Sequence, residues 1–80
     1  MISGMLWFDN DPKTALTSKI DRAAQYYKTK YGQTAEVCYL NPRTKGEAEV
    51  DLSGLEVKTS EIVLPFHFWI GLKQGEAKGV

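Results

Sequence analysis

The sequence predicts an α/β domain, with α+β as the alternative class: a single-layer sheet of about four to five strands in the order β-α-β-β-β-β, with one long helix on one sheet face. Three observations predict it. A helical period runs through residues 12–31, and two short apolar, β-rich segments at 4–9 and 35–40 flank it. The longest apolar run, residues 62–70, alternates with grease on both sides: Ile62, Leu64, Phe66, Phe68 and Ile70 on one, Val63, Pro65, His67 and Trp69 on the other. A chain with one good helix covers one face of such a sheet and leaves the second to a partner, or to the loops and the 47–58 hairpin folding over it.

The elements follow in order. Apolar density makes 4–9 a short buried strand, and Asn10-Asp11-Pro12 stops it and starts the helix, with Asp11 as cap and Pro12 at the first helical position. Leu16, Ile20, Ala23, Ala24, Tyr27 and Tyr31 form one apolar stripe, and Gly32 supplies the left-handed terminator. Residues 35–40 give a second strand that ends at Asn41-Pro42, so strand, helix and strand make a βαβ unit with parallel strands. Residues 43–46 read as a polar loop. From 49 to 58, apolar and charged residues alternate on both sides of Ser53-Gly54, which predicts a tight hairpin. Leu52 then faces Leu55 and Val50 faces Val57, while Asp51 opposes Glu56 and Glu49 opposes Lys58. Residues 62–70 make the last strand, central because it is the longest and most apolar, with Pro65 at an irregular point, or else an edge strand that pairs with its counterpart in a dimer. Residues 1–72 form the single domain and 73–80, without periodicity, a flexible tail.

A chain of 80 residues buries only about 60–65% of its unfolded surface, so self-association is an expected source of stability. Ten basic and ten acidic residues cancel, which leaves no global field to attract polyanions. The single cysteine, Cys38, suits a reducing compartment and excludes an internal disulfide. With no apolar stretch near the roughly 20 residues a bilayer requires and no leader pattern, the expectation is a cytoplasmic protein without membrane contact.

Several residue groups carry chemistry. Lys19, Arg22, Tyr26 and Lys30 fall along one helix flank, and Arg43 and Lys45 follow the second strand. Such residues bind nucleic acid through phosphates and base stacking, or else simply solvate a helix face. Asp9 and Asp11 stand at the carboxyl end of the first strand, where ligands of parallel sheets bind, although helix capping accounts for Asp11. His67 and Cys38 are the raw materials of a thiol–imidazole pair, but a cysteine inside a strand is ordinarily a small buried hydrophobe. Val63, His67, Trp69 and Trp7 are the candidate interface, as aromatics are the usual anchors of protein contacts.

On the predicted hairpin, Asp51, Glu56 and Lys58 form an Asp…Glu-x-Lys arrangement that resembles the hairpin of restriction-endonuclease-like nucleases. The resemblance is confined to residues 49–58. It implies that Asp51 and Glu56, with Glu49 beside them, hold a divalent metal and that Lys58 assists the attacking water. The alternative is a solvated hairpin face on which Glu49 and Lys58 pair across strands.

The expected function is a non-enzymatic protein-interaction or self-association module, homo-oligomeric, with an unidentified protein partner and neither cofactor nor metal. The second expectation is a nucleic-acid-binding protein with nuclease chemistry at Asp51, Glu56 and Lys58.

Overall fold

The computed structural model describes residues 4–50, 52 and 54–73. It shows a four-stranded mixed sheet, one long helix and one short helix: β1 (Gly4–Phe8), α1 (Leu16–Tyr31), β2 (Val37–Leu40), α2 (Pro42–Lys45), β3 (Glu56–Thr59) and β4 (His67–Gly71). The strand order is β1-β4-β2-β3. β4 is antiparallel to both β1 and β2, and β3 runs parallel to β2. The two strands that flank α1 therefore point the same way, as a βαβ unit requires, with β4 inserted between them. The last strand is central, as its apolarity predicts.

Helix α1 starts later than Pro12. Asp11 caps a turn instead of the helix: its carboxylate accepts from the Lys13 N–H at 2.9 Å and from the Thr14 hydroxyl at 2.6 Å. The helix opens after Ala15, which offers no side-chain cap, and closes at Gly32, whose φ of 73° lets its N–H reach the Lys28 carbonyl at 2.8 Å. Its stripe buries Ile20, Ala23 and Tyr27 against Ala35, Cys38, Leu40, Phe68 and Ile70, and this is the core. Met5 and Trp7 of β1 pack on its border.

Three further expectations are corrected. Residues 42–45 form the helix α2 and not a loop: the Asn41 carboxamide oxygen accepts from the Arg43 N–H at 2.8 Å and Pro42 takes the first position. Among the described residues of 49–58 the hairpin is represented by one bridge, Leu52 with Leu55, across a turn at Gly54 with φ 80°. Its first arm is drawn back toward α2, where the Lys45 ammonium donates to the Ala48 carbonyl at 2.9 Å, so β3 takes its ladder from β2 instead. The last strand is shorter than 62–70. Leu64-Pro65-Phe66-His67 is a turn closed by the His67 N–H on the Leu64 carbonyl at 3.1 Å, with proline second and Phe66 third at φ 67°. That is the type II pattern, with phenylalanine where glycine is usual. Lys73 donates its N–H to the Glu36 carboxylate at 2.8 Å and its ammonium stands 2.9 Å from that of Glu56. Residues 74–80 lie outside the described residues.

Candidate interaction face

Alternation along the strands separates the sheet into two faces. Toward α1 point Met5 and Trp7, Phe68 and Ile70, Cys38 and Leu40, register partners across three strands. Their neighbours point the other way: Leu6 and Phe8 from β1, His67 and Trp69 from β4, Tyr39 from β2, and Glu56 and Lys58 from β3. No described helix lies over this second face, and several of its side chains are exposed, although Val37, on this side by parity with Tyr39, is buried at 2% exposure. Leu6 is 61% exposed and Phe8 56%.

The segment between β3 and β4 forms a wall beside that face. It is anchored to α2 by two bonds: the Asn41 carboxamide donates to the Val63 carbonyl at 2.8 Å, and the Phe66 N–H donates to the Thr44 hydroxyl at 3.0 Å. Val63 is thereby tucked in, while Ile62 and Leu64 are left 81% and 64% exposed. Together Leu6, Tyr39, Ile62, Leu64, His67 and Trp69 bound a groove of about 460 Å³. Its polar groups are few. His67 Nδ1 lies 2.9 Å from the Pro65 carbonyl, which only accepts, so the neutral ring carries its proton there and leaves Nε2 as an acceptor. Trp69 is fixed by two neighbours: its ring stands 5.9 Å from that of Tyr39, and its indole covers Gly4, where any side chain would collide with it.

The predicted interface residues divide accordingly. His67 and Trp69 lie together on the open face. Val63 is buried at 9% exposure, and Trp7 is turned toward the helix, its ring 5.1 Å from that of Tyr26. Leu6, Phe8, Ile62 and Leu64 occupy the places expected of those two. Strand parity shows which β1 residues face out only once the register to β4 is fixed, because Leu6, Trp7 and Phe8 are equally apolar.

The other groups do not converge. Cys38 and His67 sit on opposite faces of the sheet, so no thiol–imidazole pair forms, and burial pushes the Cys38 thiol up to about 12. Glu56 spends its carboxylate on Lys73 at 2.9 Å and Lys58 at 3.4 Å, and the Lys73 hydrogen bond chiefly holds its carboxyl below the ordinary range. Asp51 lies outside the described residues. Asp9 accepts from the Asp11 N–H at 3.0 Å, and the Thr14 hydroxyl chiefly lowers the Asp11 carboxyl, so both acids serve the β1–α1 turn.

Of the basic candidates, Lys19 is buried with its ammonium 3.4 Å from the Asp9 carbonyl, which removes it from the solvent flank. Arg22, Tyr26 and Lys30 remain exposed along α1, and Tyr26 leans on Trp7. Arg43 and the partly buried Lys45 lie on α2, at the other end of the sheet from Lys30. No described helix is long and apolar enough to cross a membrane. Neither protein-family models, curated proteins nor solved structures return a match for this chain.

Proposed function

We propose that this chain is a non-enzymatic self-association module in which a second copy packs its open sheet face against this one. The observation that carries the reading is the concentration of exposed apolar side chains on that face: Leu6, Phe8, Ile62 and Leu64, around a groove floored by Tyr39 and Trp69. Single exposed hydrophobes are ordinary, but a contiguous group marks a contact surface. A second copy suits it because one patch holds both knobs and a hollow. A two-fold contact brings the same patch together from both sides, so Ile62 and Leu64 of each copy can enter the groove of the other. Zero net charge leaves no repulsion between copies. Two sheets stacked about 10 Å apart would make a sandwich with the helices outside.

The test is solution mass by light scattering over a concentration series, at low and high salt. The wild type is expected to associate at both, since apolar contact is not screened. Ile62→Asp with Leu64→Asp, both on exposed positions, should keep the circular dichroism spectrum and reduce the mass by at least half. A wild type that stays monomeric at several hundred micromolar overturns the reading.

A further inference from the structure

The two edges of the sheet are guarded differently. β3 carries Glu56 and Lys58, charges that oppose pairing with another strand, and Lys73 stands beside them. β1, Gly-Met-Leu-Trp-Phe, carries no charge, no proline and no bulge. Its hydrogen-bonding phase follows from one bond. The Asp9 N–H donates to the Phe66 carbonyl at 3.0 Å, and these residues continue the β1–β4 register, in which Trp7 opposes Phe68 and Met5 opposes Ile70. Bonded and non-bonded pairs alternate in an antiparallel ladder, so Met5, Trp7 and Asp9 turn their backbone groups toward β4. Gly4, Leu6 and Phe8 turn theirs outward, and among the described residues no backbone or side-chain bond from elsewhere reaches them.

We infer that the β1 edge is a second self-association site, at which β1 of one copy pairs antiparallel with β1 of another about a two-fold axis through Leu6. The outward phase makes Leu6 opposite Leu6 a bonded pair, and it makes Gly4 opposite Phe8 bonded on either side. The side chains agree with that register. All three residues lie on the open face, and Phe8 of one copy falls across Gly4 of the other, beside the Trp69 indole that already covers it. Aromatic rings over strand glycines are a recognised way to pin register. The result is an eight-stranded sheet with both open faces on the same side. Its axis is perpendicular to the sheet, whereas a face-to-face contact needs an axis lying between sheets. Both contacts can therefore operate in one closed assembly of four copies.

The inference goes beyond the open-face reading and fails separately from it. Leu6→Pro removes the outward N–H, which no described group uses, together with the side chain that borders the groove, and Leu6→Ala controls for the lost side chain. The wild type is expected at the mass of four copies, Leu6→Pro at two and Leu6→Ala near wild type. Leu6→Cys is expected to form an intermolecular disulfide under mild oxidation, because bonded antiparallel partners stand about 5.5 Å apart at Cα, within disulfide reach. Lys58→Cys on the other edge should not, and the wild type, its Cys38 sealed in the core, is the blank. Should Leu6→Pro fail to fold, the cross-link decides. A Leu6→Pro variant of wild-type mass, or an unlinked Leu6→Cys, overturns the edge site. If Ile62→Asp with Leu64→Asp still lowers the mass in that event, the open-face reading stands alone. The reverse pattern leaves the edge alone, and a monomeric wild type ends both.

Discussion

The two faces of this sheet are cut from the same strands and have opposite fates. Phe68, Ile70, Leu40 and Cys38 are fully buried under α1, while Leu6, Phe8 and Trp69, one residue out of step with them, meet the groove or solvent. Composition does not set the faces apart, since both are apolar and both carry aromatics. The supply of covering elements does. One helix of 16 residues, about 24 Å long, is enough to roof the central strand on one side, and the other described residues outside the sheet go into α2 and the loops. For the residues of β1 and β4 burial follows the side of the sheet they join, whereas on the open side Val37 of β2 and Val63 of the wall are nonetheless buried.

If that division is right, truncation on the two faces should cost very differently. Phe68→Ala removes a fully buried ring and is expected to lose about 3–5 kcal/mol, against a total of about 4–12 kcal/mol for a domain of this size. Leu64→Ala, on the open face, should lose under about 1 kcal/mol in the monomer. Urea denaturation of dilute protein checks both. Equal losses would break the comparison, because they would mean that something covers the open face even at low concentration.

The closed face can be tested by pH. Burial raises the Cys38 thiol from 9.0 to about 12, so above pH 9 the unfolded chain releases a proton that the folded one retains. Stability must then fall as pH rises, by up to about 1.4 kcal/mol per pH unit between roughly 9 and 12. Tyr27, raised chiefly by burial, adds a loss of the same sign. Cys38→Ala should remove the thiol's share of the alkaline slope, and the native thiol should resist labelling until the chain unfolds. A slope unchanged in Cys38→Ala would place that thiol in contact with water.

A smaller effect sharpens the open face. Gly4→Ala forces Trp69 off the strand it covers, for about 1–2 kcal/mol, and tryptophan emission should shift to the red as the indole moves into solvent. An unchanged spectrum would mean that the ring is not seated on Gly4.

Much of this was legible in the chain. The helix stripe, Gly32 as terminator, the turn at Gly54, the central place of the last strand and the spare apolar face all follow from periodicity and turn chemistry. What was not legible depends on partners distant in sequence. Pairing of β3 with β2 was hidden because the alternation over 49–58 serves equally for a hairpin arm and for residues packing on the core, as Val50, Leu52, Leu55 and Val57 do. The side taken by Trp7 is not legible because the neighbours in Leu6-Trp7-Phe8 are interchangeable until β4 sets their parity. For α2, the signal was present in Asn41-Pro42 and Gly46, a cap, a first-position proline and a terminator spaced for a single helical segment.

Phe66 gives the finest test of how the two faces are joined. It stands at φ 67°, a conformation glycine adopts freely, and its carbonyl receives the Asp9 N–H while its own N–H reaches Thr44. The turn is thus held from β1 on one side and α2 on the other, and it swings the chain from the exposed wall at Ile62 and Leu64 into buried Phe68. Phe66→Gly relieves the backbone but adds freedom to the unfolded chain, and these effects offset each other to within about 1 kcal/mol. Phe66→Val keeps the strain and adds β-branching, for a loss of about 1–2 kcal/mol. The difference between the two variants, read from paired urea curves, combines the left-handed strain and β-branching of valine with the unfolded-state freedom of glycine. A valine variant as stable as the glycine one would mean that the turn does not hold this residue left-handed, and the wall beside the groove would then have to be drawn differently.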